Sequence, residues 1–252
     1  MTYCLGIVTR DGLIMAADSR TNAGVDYIST YQKIFDFSQP GERVIVLCTA
    51  GNLSITQGVI INLQRDLDLQ GESSLHSLPT LYDVARYIGG KIRSMQDQDR
   101  AWLQKDGIDF QCSFLLGGQI KGQRPELYLI YSQGNCLRAT AETPFLQIGE
   151  AKYGKPILDR IVNFETPLEW AVKSALLSID STMRSNASVG PPINLITVQT
   201  NSLRINYSLH LKAGDPYLLK MRKLWEEALR EAFEQIPGPE GFSPSPESAR
   251  IS

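Results

Sequence analysis

Met1-Thr2-Tyr3-Cys4-Leu5-Gly6-Ile7-Val8-Thr9-Arg10-Asp11-Gly12-Leu13-Ile14-Met15-Ala16-Ala17-Asp18-Ser19-Arg20 is the stretch on which the fold turns. Residues 3–9 alternate, with Tyr3, Leu5, Ile7 and Thr9 on one face of a strand and Thr2, Cys4, Gly6 and Val8 on the other. Asp11-Gly12 is a hairpin signal. The run Leu13–Ala17 is wholly apolar, as expected of a strand covered on both faces. An ordinary hairpin explains all of this. A second reading starts from Thr2: once Met1 is removed, a threonine with a free α-amino group heads the chain. The hairpin then brings Asp18 back towards it.

The remaining chain alternates groups of strands with pairs of helices. Residues 19–32 read as a loop, Lys33–Phe37 as a short strand, and Arg43–Cys48 as an apolar strand that breaks at Ala50-Gly51-Asn52. The period then changes: Leu53, Ile55, Val59, Ile60, Leu63 and Leu67 lie on one side of a helix. Thr80 and Asp83 have capping-box spacing before a second helix with Leu81, Val84, Ala85, Ile88, Ile92 and Met95 on its apolar face. Strands are expected at 110–118, 126–132, 136–140 and 144–149, and helices at 152–163 and from Thr166-Pro167 onward, proline suiting the first helical position. Trp170, Ala171, Ser174, Leu177 and Met183 lie on or near one face of that last helix. Strands at 193–198 and 203–211 and a helix from Pro216 to Gln235 complete the order. Antiparallel hairpins without βαβ alternation predict an α+β domain of packed sheets with helices outside. One domain is expected over 2–236, followed by a disordered tail at 237–252 rich in proline, glycine and serine.

Composition narrows the function. The chain has 252 residues, 42% hydrophobic and 21% charged, with a net charge of -2 and a pI near 5.8. No broad basic field draws it to nucleic acid or anionic lipid. No apolar run approaches the ~18 residues of a membrane span, and nothing at the start reads as a signal peptide. A cytoplasmic location is expected. Cys4, Cys48, Cys112 and Cys136 form no Cys-x-x-Cys pair, which suits buried thiols in a reducing compartment. Only His76 and His210 are available to a histidine site, so neither a metal nor another cofactor is expected. Scarce histidine favours a nucleophile activated by an amine or a lysine.

A threonine hydroxyl needs a base, and its own α-amine supplies one. The reference pKa of that amine is about 7.7–8.0, and adjacent positive charge lowers it. Lys33 is the natural source of the charge, held by Asp18, and Ala50-Gly51-Asn52 offers an unobstructed backbone N–H to an oxyanion. Each piece also has a bland reading. An aspartate ending a strand caps a turn, a lone lysine is solvated, an Ala-Gly step turns the chain, and Cys4 is a buried structural thiol sooner than a rival nucleophile.

Taken together, Thr2, Ala17-Asp18-Ser19-Arg20, Gly24, Lys33, Thr49-Ala50-Gly51, Gly149 and Gly190 before Ile193-Asn194-Leu195 resemble a proteasome-type β subunit of the N-terminal nucleophile hydrolases. The resemblance spans about residues 2–210. Within that family, Met1–Cys4, Asp18–Tyr27, Ser185–Gly190 and the extra C-terminal helix are similar to the bacterial proteasome-related subunits called Anbu. The resemblance implies a four-layer αββα sandwich of two antiparallel sheets and a homo-oligomer, either a ring or an open, washer-like assembly. It also implies Thr2 as nucleophile and base, Asp18 and Lys33 as electrostatic support, Gly51 as oxyanion donor, Ser188 in a supporting role, and a side-chain pocket from Thr21, Tyr31 and Thr49. No propeptide is expected before Thr2, so methionine aminopeptidase alone would expose it. The implied substrate is a peptide or a small non-peptide amide, with an unfoldase partner left open; a non-catalytic scaffold subunit is the alternative from another class. The chain departs from the family where Gly149-Glu150-Ala151 replaces Gly-Ser-Gly and where Ser185 replaces the aspartate of Asp-x-x-Ser-Gly. That aspartate's role is missing or passes to Asp180.

Overall fold

The alternation of the first residues is realised as β1 (Tyr3–Thr9) and β2 (Gly12–Asp18), paired antiparallel with Cys4 opposite Ala17 and Thr9 opposite Gly12. Every residue of both strands is buried, and the exposed turn at Arg10-Asp11 joins them. The computed structural model describes residues 2–22, 28–69 and 73–240. Met1, Gly24 and the tail beyond 240 therefore lie outside the described residues. Met1–Ala213 form one compact unit and Gly214–Ser252 a second.

In the first unit, β1 and β2 sit at the centre of a sheet ordered β10-β1-β2-β11-β12, where β10 is Phe145–Gly149, β11 Ile193–Gln199 and β12 Tyr207–Leu211. The other large sheet is ordered β5-β6-β7-β8-β9: Ile34–Asp36, Arg43–Gly51, Cys112–Ile120, Glu126–Ile130 and Cys136–Arg138. All pairings are antiparallel. Cys4, Val8, Leu13, Met15 and Ala17 from the first sheet and Val44, Val46, Cys48, Leu115 and Leu127 from the second fill the space between them. By strand parity Thr2 shares the face of Cys4 and so heads the inter-sheet layer.

Helices cover both outer faces. α1 (Leu53–Asp68) and α2 (Leu81–Lys105) bury Ile55, Val59, Leu63, Leu81, Val84, Ile88 and Ile92 against Ile45, Leu47, Phe114, Leu116 and Ile130 of the second sheet. Asn52 caps α1, accepting from Ile55 N at 3.2 Å, and Thr80 caps α2, accepting from Asp83 N at 3.1 Å. On the first sheet lies α4 (Leu168–Ser185), packing on β1 and β2, and α3 (Lys155–Ile161) packs on α4. The result is the αββα sandwich of two antiparallel sheets, in the α+β class. The second unit contains α5 (Pro216–Glu234), capped by Asp215, which accepts from Tyr217 N at 2.9 Å. No helix among the described residues is long and apolar enough to cross a membrane.

Four local expectations need correction. The loop assigned to 19–32 contains a two-stranded ribbon, β3 (Arg20–Asn22) with β4 (Ile28–Thr30), joined by backbone pairing that leaves no apolar alternation to read. The strand expected from 203 starts at Tyr207, because Asn201 and Leu203 turn through left-handed conformations (φ 66° and 49°). Pro167 is the cap of α4 rather than its first residue. The buried residues of α4 are Ala171, Ser174, Ala175, Leu176, Ser178, Ile179, Asp180 and Thr182, leaving Trp170 59% exposed. From β1, Tyr3 reaches this helix, its hydroxyl 2.6 Å from Ser178 Oγ. Burial pushes the Tyr3 phenol up to about 12, against the Ser178 and Gln147 hydrogen bonds.

Candidate active site

Thr2 is half-buried at the entrance to β1, and its backbone is held on both sides. Its carbonyl accepts from Glu150 N at 2.8 Å, and the next amide, Tyr3 N, donates to Asp18 Oδ1 at 2.9 Å. Both contacts follow from sheet register: β10 pairs Gly149 with Tyr3, and β2 places Asp18 one step past Ala17, the partner of Cys4.

Asp18 is fully buried and organises four donors. Oδ1 takes Tyr3 N and Lys33 Nζ, at 2.9 and 2.8 Å. Oδ2 takes Arg20 N and Gly190 N, both at 3.1 Å. Lys33 is 5% exposed and also donates to the Arg20 carbonyl. Its own carbonyl accepts from Thr49 N at 3.0 Å, tying the lysine to β6. Burial raises the Asp18 carboxyl above the ordinary carboxylate value, while the Lys33 charge and hydrogen bond and the Tyr3 and Gly190 amides pull it back. An ammonium this buried is tolerated because it is paired and hydrogen-bonded.

Gly51 ends β6 opposite Cys112, with φ +102°. A Cβ there would lie 2.3 Å from the Gln111 carbonyl oxygen, so only glycine fits. Gly149, φ +80°, is equally constrained: a Cβ would lie 1.9 Å from the Thr2 carbonyl oxygen. Both glycines line one cleft of about 320 Å³, together with Asp109, Gln111, Ser113 and Tyr131. Gly149→Ala is expected to introduce about 1–3 kcal/mol of backbone strain and to displace Thr2 through that clash. Urea denaturation and the position of Thr2 in a crystal structure of the variant check it; unchanged stability and geometry would show that the clash is relieved elsewhere.

Ser188 is half-buried in the loop after α4, its N–H donating to Asn186 Oδ1 at 2.9 Å. Two residues on, Gly190 N reaches Asp18, so this loop adjoins the Asp18–Lys33 pair. Asp180, the other candidate for the missing aspartate, is buried on α4. The pocket residues are more dispersed. Tyr31, 38% exposed, lines a separate cavity of about 270 Å³ with Ser19, Gln32, Pro192, Asn194 and His210. Thr49 is buried in β6, where its carbonyl is 3.6 Å from Cys4 Sγ, and Thr21 sits half-buried in β3 opposite Ser29. Tyr31 alone of the three lines that cavity.

Cys4 is inaccessible, and burial beside Cys48 pushes its thiol well above the usual value against the Lys33 charge. The thiolate a nucleophile needs is therefore disfavoured. Among the described residues no cluster of three or more His, Cys, Asp or Glu is placed to hold a metal ion. Sequence reasoning named the Asp18–Lys33 pair but missed how Glu150 enters the site, through its backbone to Thr2 and its side chain to Asn186 Nδ2 at 3.0 Å. Its only sequence signal is a charged residue where the resembling family has a small one.

The family model described as proteasome subunit matches residues 2–198. Among solved structures, the chain is similar to Anbu (ancestral beta-subunit) from Yersinia bercovieri, at 43% identity and TM-score 0.89, with 96% of this chain and 100% of that one covered. It is also similar to the helical assembly of the Anbu complex from Pseudomonas aeruginosa, at 45% identity and TM-score 0.90, covering 95% and 98%. A proteasome subunit beta from Haloquadratum walsbyi is 26% identical over 211 residues, 81% of this chain and 76% of that one. With the sandwich, the buried Asp18–Lys33 pair and a family match running from Thr2 to β11, the chain belongs to the proteasome subunit family, on the side of its Anbu members.

Proposed function

We propose that this protein is an N-terminal threonine hydrolase that cleaves amide bonds, foremost peptide bonds, with Thr2 as nucleophile once Met1 is removed. The observation that carries the reading is the arrangement around residue 2. Its carbonyl is fixed by Glu150 N, the following amide by Asp18, and Asp18 by the buried Lys33. A lysine and an aspartate desolvated together beside the first strand are the kind of pair that tunes a reacting group.

In this mechanism the Thr2 α-amine takes the proton of Oγ1, directly or through a water, as Oγ1 attacks the amide carbon. The Lys33 charge favours the neutral amine at working pH, and Asp18 fixes the lysine. The C–O bond forms as the carbonyl π electrons move to oxygen, and the oxyanion is held by Gly51 N–H. One such donor contributes about 3–4 kcal/mol in comparable sites. Collapse breaks the C–N bond, the α-ammonium returns its proton to the departing amine, and water hydrolyses the ester on Thr2 by the same base. Ser188 supports the N-terminus from its loop. Of the three expected pocket residues, Tyr31 contributes to a side-chain pocket. The Anbu complex from Pseudomonas aeruginosa forms a helical assembly, and by that likeness this chain works as a homo-oligomer; a cytoplasmic location goes with the reading of its cysteines as reduced thiols.

Intact mass of the native protein, then incubation with a peptide epoxyketone, tests this. The expected result is loss of Met1 and a single adduct on Thr2, since the epoxyketone needs a hydroxyl and a free amine on one residue. Met1 retained would overturn the proposal. Thr2 unmodified while an active proteasome control reacts would favour a scaffold, and an adduct on Cys4 instead would move the nucleophile.

A further inference from the structure

The geometry points to Glu150 and Asn186 as a positioning pair that locks the N-terminal nucleophile to the 186–190 loop. This deepens the threonine-hydrolase reading and rests on it.

Glu150 directly follows β10, and its N–H holds the Thr2 carbonyl at 2.8 Å. Its side chain is 7% exposed. A carboxylate so buried needs donors. Lys152 approaches Oε1 only to 3.7 Å and is 73% exposed, so that contact is screened and weak. The close donor is Asn186 Nδ2, 3.0 Å from Oε2. Asn186 caps the C-terminus of α4 in an extended conformation, and its Oδ1 accepts from Ser188 N at 2.9 Å. One side-chain amide therefore uses its donor end on Glu150 and its acceptor end on the loop, which fixes its orientation.

The loop is anchored equally firmly at its other end. Gly190 N donates to Asp18 Oδ2 at 3.1 Å, and the Gly190 carbonyl accepts from Ser19 N and Arg20 N at 3.3 and 3.2 Å. Arg20 Nη1 reaches the Ala187 carbonyl at 2.7 Å. A closed circuit results: Thr2 carbonyl, Glu150 backbone, Glu150 carboxylate, Asn186, the 188–190 loop, Asp18, and back to Tyr3 N. Every link is a hydrogen bond or a short stretch of backbone. Within this circuit the Glu150–Asn186 bond is the link made between two side chains, and it ties the start of the loop to the residue that holds the Thr2 carbonyl. It lies at the first of the two places where the chain departs from the common proteasome pattern, and it supplies a tether built from different chemistry. Glu150 touches no reacting atom here; it acts through the Thr2 backbone and the loop.

The test is the labelling kinetics of Thr2 by the epoxyketone, followed by intact mass, with thermal unfolding alongside. Glu150→Ala is expected to lower the maximal labelling rate roughly ten- to a hundredfold, the scale of a misplaced reacting group, with half-saturating probe concentration changed less than about twofold by the same reasoning. Asn186→Asp, which sets two carboxylates face to face, is expected to do the same. Combining Glu150→Gln with Asn186→Asp restores a donor–acceptor pair of reversed polarity and is expected to recover most of the rate. A purely structural role predicts lost thermal stability with the maximal rate kept. Unaltered labelling of Glu150→Ala, or a double variant no faster than Asn186→Asp, overturns the pairing while leaving the nucleophile in place. Wild-type protein that never labels overturns the nucleophile, and the pairing with it. If Glu150→Ala fails to fold, the Asn186→Asp comparison with its rescue decides alone.

Discussion

Replacing Thr2 by alanine is expected to abolish amide hydrolysis, by roughly 10⁴- to 10⁶-fold as for other nucleophile deletions, while the fold and the oligomer remain. The two effects separate because of how residue 2 is held. Its contacts to Glu150 N and, through the next amide, to Asp18 are made by backbone, and alanine keeps both. Loss of one half-buried hydroxyl and methyl is worth less than about 1 kcal/mol in stability. Thr2→Ser keeps hydroxyl and amine together and is expected to retain activity within about tenfold, on the same reasoning about which groups act in the transition state. Hydrolysis of a fluorogenic peptide or a simple amide measures both, with size-exclusion chromatography reporting assembly. Full activity in Thr2→Ala would remove the nucleophile from residue 2. The buried, poorly ionised Cys4 would be a weak heir to the role.

The parts of this architecture that were legible in the sequence are those written in local patterns. The 3–9 alternation, the Asp11-Gly12 turn and the glycine that ends β6 mark the edges of elements, and they mark the candidate site because it is built on element ends. Asp18 and Lys33 each stand at a strand end, Asp18 closing β2 and Lys33 immediately preceding β5. Sheet packing brings such ends together, and the pair forms at 2.8 Å. What stayed hidden depends on contacts far apart in the chain. Periodicity weights Trp170 heavily, yet the buried face of α4 carries serines as well as apolar residues, and Tyr3 meets Ser178 there across 175 positions. The β3–β4 ribbon is polar and short, and main-chain pairing alone defines it. Glu150 and Asn186 are two polar residues 36 apart with no shared motif; only the closing of β10 against β1 and the end of α4 over the same spot make them partners.

The Asp18–Lys33 pair carries the other large expected effect. Lys33→Met leaves the Asp18 carboxylate buried without its counter-charge, and breaking a buried pair in this way costs about 3–5 kcal/mol at neutral pH. The pH dependence follows from the direction of the Asp18 shift. Burial already raises this carboxyl above its unfolded value even with Lys33 present, so the folded state binds the proton more tightly than the unfolded state does. Stability from this group therefore falls as pH rises through the folded pKa. Without Lys33 the first opposing influence is gone and the rise is greater. The cost of Lys33→Met is thus fully present above that raised pKa and fades as pH falls through it, where Asp18 takes up a proton and no longer needs a cation. Adding Asp18→Asn to Lys33→Met removes the stranded charge and is expected to restore most of the stability at neutral pH. It restores none of the hydrolysis, because nothing then biases the Thr2 amine towards its neutral form. Urea unfolding of the single and double variants at neutral and mildly acidic pH, beside turnover of the same preparations, reads both. A Lys33→Met penalty that persists undiminished into acid would mean that the lysine acts on stability by its packing and its bond to the Arg20 carbonyl rather than through Asp18. Turnover surviving in the stable double variant would mean that the Thr2 amine needs no neighbouring charge at all.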